Sequence, residues 1–350
     1  MSYSAQFDVL LPSPDPRPWD KRKAVPKPSL AAQEAEPAAY RLPVSTTWAT
    51  RKRNWFAQRT WGVQDAATAV LFIGMHLACL WAPACFSWRC AALWFVTYCM
   101  TGCFGIAMSF HRQLSHHSFT TPKWLEYFFA YCGAVSIQGK PTYWVSSHRY
   151  HHLQTDTPLD PHSPAEGFWW AHMGWVMDKL SKDQRSGSKV EGNVDDMRAQ
   201  WFYRHMDNWY WAHVWGHFLA LYLVGGWGAL IWGGPLRVVG VWHGTFFVNS
   251  ASHVWGTQPY NTGDLSRNLW WVAVVSFGEW HNNHHAFGYS ARHGLEWWEF
   301  DVSWYIIRAL ESVGLAWDIH VPSDKQVAAR ERNLYAVGAQ AGEHQVIKGD

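Results

Sequence analysis

Three histidine-rich clusters hold the residue types best suited to binding a transition metal. They are His111-Arg-Gln-Leu-Ser-His116-His117, His148-Arg-Tyr-His151-His152 and His281-Asn-Asn-His284-His285. On an α-helix, residues i, i+3 and i+4 share one face, so the second and third clusters each direct three imidazoles at one point. In the first cluster, His111 and His116 converge only if the helix ends or frays between them. The spacing predicts a metal centre built from neutral imidazole nitrogens.

Eight or nine imidazoles are too many for one ion and suit two ions. Structural zinc sites favour four ligands, often cysteines, in a closed site. A pair of histidine-rich sites without thiolate suits a redox metal that reacts with dioxygen, and the predicted metal is iron. The isolated histidines are assigned to the surface or to core hydrogen bonds: His76, His172, His205, His293, His320 and His344. Three others lie in apolar segments and are assigned to helix–helix hydrogen bonds: His213, His217 and His243.

Four segments without Asp, Glu, Lys or Arg supply the elements that must position these clusters: residues 66–86, 90–110, 209–233 and 238–255. Each is close to the roughly 20 residues that cross a hydrocarbon core as a helix. A turn at residues 83–89 joins the first pair, and Gly233, Gly234 and Pro235 are predicted to break the second pair. The expected fold is all-α and integral to the membrane, with four spans in two helical hairpins.

Basic residues set the expected orientation. Arg51, Lys52, Arg53 and Arg59 precede the first span, which places the N-terminus on the cytosolic or stromal side. Four spans then put all three clusters on that side, together with His253 at the end of the fourth span. The segments between spans two and three and after span four are expected to form one helical cap that holds the site.

The rest of the sequence indicates where the domains begin and end, and which classes of partner are excluded. Residues 1–45 are rich in proline and lack apolar periodicity, so we expect a disordered tail, then a membrane domain over residues 46–325 and a C-terminal tail over 326–350. The start of the chain resembles neither a signal peptide nor a transit peptide, which favours the endoplasmic reticulum over a plastid membrane. The chain has no basic run of the kind that binds nucleic acid. Its six cysteines form no CxxC pair and are expected to be reduced.

With these clusters the sequence resembles the membrane fatty acyl desaturases of the Δ9 type, and it is most similar to the plant and algal enzymes. The resemblance covers residues 51–322 and includes the stretches 124–133, 160–167 and 280–287 beside the clusters. It implies two irons bound by nine histidines: His111, His116, His148, His151, His152, His253, His281, His284 and His285. It also implies that Asn249 holds a water on one iron, and it leaves His117 outside the ligand set.

The resemblance further implies an activity. It is the introduction of a cis double bond into a saturated acyl chain, with dioxygen and two external electrons, at Δ9 of palmitoyl or stearoyl chains. A Δ7 desaturase of palmitoyl galactolipid in the plastid is the alternative. The acyl chain, carried by CoA or by a membrane lipid, is expected in a bent tunnel with Gln138, Trp144 and Thr245 at the bend and Cys99 and Cys103 at the floor.

Two further predictions concern the electron donor and the alternative classes of membrane protein. It has no His-Pro-Gly-Gly haem motif and no GxGxxG after a strand-like run, so the expected electron donor is external, either cytochrome b5 or ferredoxin. A membrane metal transporter and a haem-binding electron carrier are the alternatives from other classes. A transporter should carry ionisable residues midway through its spans, whereas the first two spans lack Asp, Glu, Lys and Arg. A haem carrier would show a Soret band.

Overall fold

The computed structural model describes residues 61–157, 159–179 and 192–330. Within these ranges the regular structure is helical, apart from isolated bridges between Thr120 and Trp317 and between Thr257 and Asn268. The predicted N-terminal tail, residues 1–45, lies outside the described residues, and so do residues 331–350 of the predicted C-terminal tail. The helices are α1 (Val63–Cys79), α2 (Trp88–Tyr98, continuing as Cys99–Ser115), α3 (Lys123–Ala134), α4 (Pro141–Gln154), α5 (Phe168–His172), α6 (Asp195–Arg198), α7 (Trp201–Asn208), α8 (Tyr210–Ile231), α9 (Arg237–Ser250), α10 (Trp270–Val275), α11 (His281–Ala286), α12 (Val302–Ser312) and α13 (Asp324–Ala328).

Two helical stretches are long and apolar enough to cross a membrane. They are Trp88–Ser115, with 28 residues, and Tyr210–His253, with 44 residues. Helix α1 is a shorter apolar helix of 17 residues. Large apolar side chains remain exposed on these helices, for example Val70, Phe95 and Val224. This pattern fits helices that face lipid rather than water.

The second long stretch reverses direction at Gly225 and Gly226. Gly226 has φ 64° and ψ −158°, a backbone conformation that only glycine adopts readily. Beyond Gly226 the chain runs back alongside the first part of α8. The contact that shows this lies between Leu221 and Gly233, since the Leu221 side chain is 3.0 Å from the position of a Cβ at Gly233. The break predicted at Gly233–Pro235 is therefore wrong.

Residues 233–235 instead belong to a widened helical turn, Trp232–Leu236, that leads into α9. A wide turn tolerates the missing N–H of Pro235. The absence of a side chain at Gly233 allows close contact with Leu221 and Leu93. The two apolar helical segments of this stretch therefore meet at Gly225 and Gly226.

Helix α2 is wound as a π-helix from Cys99 to Ser115. In this geometry the backbone bonds join residues five apart, and the N–H of His116 donates to the carbonyl of His111 at 3.2 Å. Residues five apart therefore come onto one face, and the rings of His111 and His116 lie 5.0 Å apart. The predicted end or fraying of the helix between them is wrong, because wider turns bring the two rings together instead.

Histidines outside the three clusters link the helices. His76 of α1 and His243 of α9 approach at 3.0 Å between their Nε2 atoms, and His243 Nδ1 lies 2.9 Å from His172 Nε2 of α5. His205 and His213 approach at 3.2 Å. The Nε2 atom of His217 is buried without a partner in the described residues. These three contacts join separate helices, as expected of polar side chains in and beside apolar segments.

Helix α3 packs against α2 at a contact between two glycines, Gly105 and Gly133. A Cβ at Gly105 would lie 2.3 Å from the backbone nitrogen of Gly133, closer than atoms can approach. The contact brings α3 onto the long helix that carries His111.

We predict that Gly105→Ala destabilises the protein by roughly 1–3 kcal/mol or more, because the neighbouring backbone must move to admit the methyl group. The measurement is the thermal unfolding midpoint in detergent. Gly74→Ala is the matched control, since a Cβ there meets nothing within 4 Å. Equal midpoints for the two variants would contradict the packing described.

Candidate metal centre and adjoining cavity

The nine histidines predicted as ligands meet in two adjacent groups. In the first, one ring nitrogen from each member lies within 4.8 Å of all the others: His111, His116, His148, His152 and His284. The second contains His151, His253 and His285 in the same sense. His281 joins the second group, because its Nε2 lies 2.8 Å from Nε2 of His253. The clusters thus come together from α2, α4, α11 and the turn that ends α9.

The ring nitrogens in these groups point at one another. The Nε2 atoms of His111 and His284 are 3.0 Å apart, and so are those of His116 and His148. His284 Nε2 and His152 Nε2 are also 3.0 Å apart. A neutral imidazole has a single N–H, so several lone pairs must face the same small volume. A bound cation accounts for this arrangement, and the donor set fits iron.

Carboxylates bind the opposite nitrogen of the rings. The Nδ1 atoms of His151, His253 and His285 lie 2.9–3.0 Å from carboxylate oxygens of Asp160, Asp156 and Asp264, respectively. An ionised carboxylate only accepts hydrogen bonds, so each Nδ1 carries the proton and each Nε2 keeps its lone pair. His285 Nε2 is buried and has no partner in the described residues. The carboxylates therefore orient the rings as metal ligands require.

Glu279 contacts three imidazoles and links the two groups. Its carboxylate lies 3.3 Å from Nδ1 of His111, 3.4 Å from Nδ1 of His281 and 3.0 Å from Nδ1 of His293. Burial alone would raise the pKa of Glu279, but the nearby His111, His293 and His284 hold this pKa well below its usual value. Glu279 was not among the site residues predicted from the sequence. Its only signal was an acidic residue two positions before the third cluster.

Four of the predicted ligand rings are buried in surroundings that favour the neutral form. Burial lowers the pKa of His148, His152, His281 and His284 well below the usual value for histidine. Neighbouring imidazoles lower these pKa values further, since two adjacent rings cannot both carry a positive charge. Neutral imidazole is the form that binds a metal.

Two buried arginines lie inside the clusters and bind groups other than the nine predicted ligand rings. Arg112 is fully buried, pairs with Asp301 at 3.0 Å and donates to the carbonyl of Ala291. Arg149 pairs with Asp196 at 2.8 Å and lies 2.9 Å from Nε2 of His117. They fasten α2 and α4 to the segments that cover the site. His117 therefore contacts Arg149 and does not belong to either group of predicted metal ligands.

A cavity opens beside the histidine groups and encloses about 610 Å³ of space between protein atoms, including its mouth. His111, His148 and His151 line one part of it, together with Asn249. Apolar residues of α2 and α9 line much of the rest, among them Ile106, Ala107, Val241 and Val248. The cavity can therefore accommodate an apolar ligand next to the predicted metals.

The predicted substrate residues divide into two sets. Trp144 and Thr245 line the cavity. Gln138 holds them both, because its amide donates to Thr245 at 2.9 Å and accepts from Trp144 Nε1 at 3.0 Å. Cys99 and Cys103 are not among the lining residues, whereas Tyr98 and Gly102 are. The π-helical winding of α2 turns a different face to the cavity than an α-helix would.

Comparison with known proteins gives a consistent result. Residues 86–316 match the family model described as fatty acid desaturase. The chain is 48% identical to the chloroplastic palmitoyl-monogalactosyldiacylglycerol delta-7 desaturase of Arabidopsis thaliana, over 85% of this chain and 80% of that protein. It is 47% identical to the acyl-CoA C20 Delta5-desaturase of Anemone leveillei, over 85% and 96% of the two chains. It is 45% identical to Delta-9 acyl-lipid desaturase 1 of Arabidopsis thaliana, over 85% and 97%.

We predict that Glu279→Gln lowers metal affinity by about 10- to 100-fold. An amide has one oxygen and an NH₂ donor, so it cannot accept hydrogen bonds from three Nδ1–H groups. The measurement is metal bound per chain, by elemental analysis across a titration of free metal.

Glu296→Gln is the matched control, because Glu296 is exposed. Retention of the same metal by both variants would show that Glu279 does not hold the ligands in place.

Proposed function

This chain belongs to the fatty acid desaturase family and is an oxidoreductase, and we propose that it introduces a cis double bond at Δ9 of palmitoyl or stearoyl chains at a centre of two irons. The observation that carries the proposal is the pair of adjacent histidine groups beside an apolar cavity, with the outward Nδ1 atoms of five rings held by carboxylates. Similarity to a Δ9 acyl-lipid desaturase supports the position. The similarity to a chloroplastic Δ7 desaturase favours Δ7 action on palmitoyl galactolipid as the second candidate.

Each histidine group would hold one iron. His111, His116, His148, His152 and His284 surround one position, and His151, His253, His281 and His285 surround the other. Asn249 lines the cavity beside them and would hold a water on one iron. When bound, the irons supply the dioxygen chemistry that removes hydrogen from unactivated methylenes.

The protein supplies binding and position. Burying each methylene of the acyl chain in the apolar cavity contributes roughly 0.8 kcal/mol. The bonded set of Gln138, Trp144 and Thr245 fixes one wall, so a particular pair of methylenes is presented to the metals. Asp156, Asp160, Asp264 and Glu279 keep the imidazole lone pairs directed at the irons.

The substrate carrier and the electron donor complete the proposal. Relatives are named for both acyl-CoA and acyl-lipid substrates, and this chain would take one of these carriers. Two electrons per turnover would come from cytochrome b5 in the endoplasmic reticulum, or from ferredoxin if the enzyme lies in a plastid membrane. We favour the endoplasmic reticulum.

We further propose four membrane spans in two hairpins within a membrane domain of residues 46–325, flanked by tails of residues 1–45 and 326–350. Helices α1 and α2 form the first hairpin, around the turn at Pro83–Cys85. The chain on either side of Gly225–Gly226 forms the second. Both reversals then lie on the side opposite the histidine groups, and the cap lies on the cytosolic side.

We predict that the chain, expressed in a yeast strain without its own Δ9 desaturase, restores growth and yields Δ9-unsaturated palmitoyl or stearoyl chains. His151→Ala and His284→Ala should each abolish the product, because each removes a ligand of a different iron. The measurement is fatty-acid profiling with location of the double bond. His320→Ala is the control, since His320 is exposed and far in sequence from the clusters.

A Δ7 product in membrane galactolipid, with plant-type ferredoxin supplied, would instead establish the second candidate. Full activity of His151→Ala or His284→Ala would contradict the ligand assignment.

The span arrangement predicts opposite sidedness for two loops. A glycosylation acceptor on a short linker should be modified in the endoplasmic reticulum when inserted between Gly225 and Gly226. The same insert between Asn261 and Thr262 should stay unmodified. The measurement is the shift in gel mobility reversed by glycosidase. Modification at the second position, or at neither, would contradict four spans with a cytosolic cap.

A further inference from the structure

The turn that follows α3, residues 135–139 (the α3 turn), combines an unusual backbone conformation with burial. Ile137 has φ 59°, which is uncommon for any residue with a Cβ and most of all for a β-branched one. Val135, Ser136 and Ile137 are all buried. A strained backbone persists only where the surrounding structure holds it, so the groups that bind this turn deserve a full account.

Two side chains of α9 bind the carbonyls of the α3 turn. The carbonyl of Val135 accepts a hydrogen bond from Nη1 of Arg237 at 2.6 Å. The carbonyl of Ile137 accepts one from Nε1 of Trp242 at 2.9 Å. Irregular backbone within a membrane domain is tolerated only where protein groups satisfy it, and these two donors meet that requirement.

Arg237 is fully buried near the middle of a proposed span. It lies 11 residues beyond Gly226, at most about 16 Å along the helix and about half the thickness of a hydrocarbon core. Its Nε donates to the carbonyl of Gly233 at 3.0 Å, which fixes the guanidinium on α9. An ionisable side chain is costly at this depth, and backbone carbonyls are among its usual partners. The negative end of the α3 dipole lies beside it at Val135 and favours its positive charge.

The α3 turn carries Gln138, which holds one wall of the cavity. The Gln138 amide donates to Thr245 and accepts from Trp144, both of which line the cavity. On the other side of Gln138, the N–H of Gly139 donates to the hydroxyl of Tyr210 at 3.2 Å. A glutamine side chain has much rotamer freedom to lose, so both contacts form together only if its backbone is fixed.

We infer that Arg237 and Trp242 are positioning residues that confine desaturation to one double-bond position, by fixing the backbone from which Gln138 holds the cavity wall. This inference rests on the proposed desaturase function. Neither residue is among those that line the cavity, so both act through Gln138 and not on the substrate. In any other conformation of the α3 turn, Gln138 would release Trp144 and Thr245. The acyl chain could then shift along the wall relative to the metals.

The test is Trp242→Phe in the full chain, expressed in the desaturase-deficient yeast with ferredoxin and its reductase supplied, followed by location of the double bond. The substitution removes the indole N–H but keeps an aromatic ring against Phe72, whose ring centroid lies 5.3 Å away. The share of product unsaturated at neighbouring carbons should rise roughly tenfold, because a buried carbonyl left unpaired favours other conformations of the turn by about this factor.

Trp232→Phe is the matched control. The Trp232 indole also donates to a backbone carbonyl, that of Ala82 at 3.1 Å, but it does not line the cavity or contact the α3 turn. Trp232→Phe should keep the wild-type double-bond position. Gln138→Ala should scatter the position as Trp242→Phe does, and the double variant should scatter it no further than Gln138→Ala alone, because the two residues act as one unit.

If Trp242→Phe does not accumulate in the membrane, Arg237→Lys carries the same expectation, since an ammonium lacks the fork that reaches the carbonyls of both Gly233 and Val135. An active variant that makes less product, all of it at the wild-type carbon, would overturn the inference, and so would additive effects in the double variant. Absence of unsaturated product from the wild-type chain would refute the proposed function instead. Hydrogen–deuterium exchange of the purified protein then still tests the hold on the α3 turn: residues 135–140 should exchange faster in Trp242→Phe than in Trp232→Phe, and equal rates would overturn it.

Discussion

The convergence of nine imidazoles on one buried volume constrains everything around it. Rings whose Nε2 atoms lie about 3 Å apart cannot all donate to one another, because each neutral ring has one proton. The arrangement is stable only if a cation accepts the lone pairs and if acceptors outside the site take the Nδ1 protons. Asp156, Asp160, Asp264 and Glu279 are those acceptors. The winding of α2 and the burial of Arg112 and Arg149 serve the same requirement, since they hold three separate segments of the chain against one centre.

The parts of the site that follow from helical periodicity could be predicted from the sequence. The i, i+3, i+4 spacing in the second and third clusters specifies which rings share a face, and α4 and α11 are helical as required. The meeting of His111 with His116 was predicted for the wrong reason, because residue spacing does not reveal π-helical winding. The same winding moves Tyr98 and Gly102 to the cavity face in place of Cys99 and Cys103. Glu279 was missed because a single acidic residue carries no periodic signal.

In the fold, too, some features could be predicted from the sequence and others could not. Uncharged segments of suitable length located the apolar helices, and the described residues contain no β-strand. The reversal in the second hairpin could not be placed, since Gly225-Gly226 and Gly233-Gly234-Pro235 both satisfy the usual signals for a break. Packing decides between them: Gly233 is needed for contact with Leu221, and Gly226 is free to adopt a positive φ. Relatives of this chain with similar identity are named for Δ5, Δ7 and Δ9 products.

The metal content and environment of the purified full-length protein test the nature of the centre most directly. Elemental analysis combined with X-ray absorption at the iron edge would report both the number of ions and their ligands. Two irons per chain, each surrounded by nitrogen and oxygen with imidazole scattering and without a Soret band, is the expected result. A single ion per chain, zinc in place of iron after expression in iron-replete cells, or the Soret band of haem would contradict a histidine-ligated two-iron desaturase.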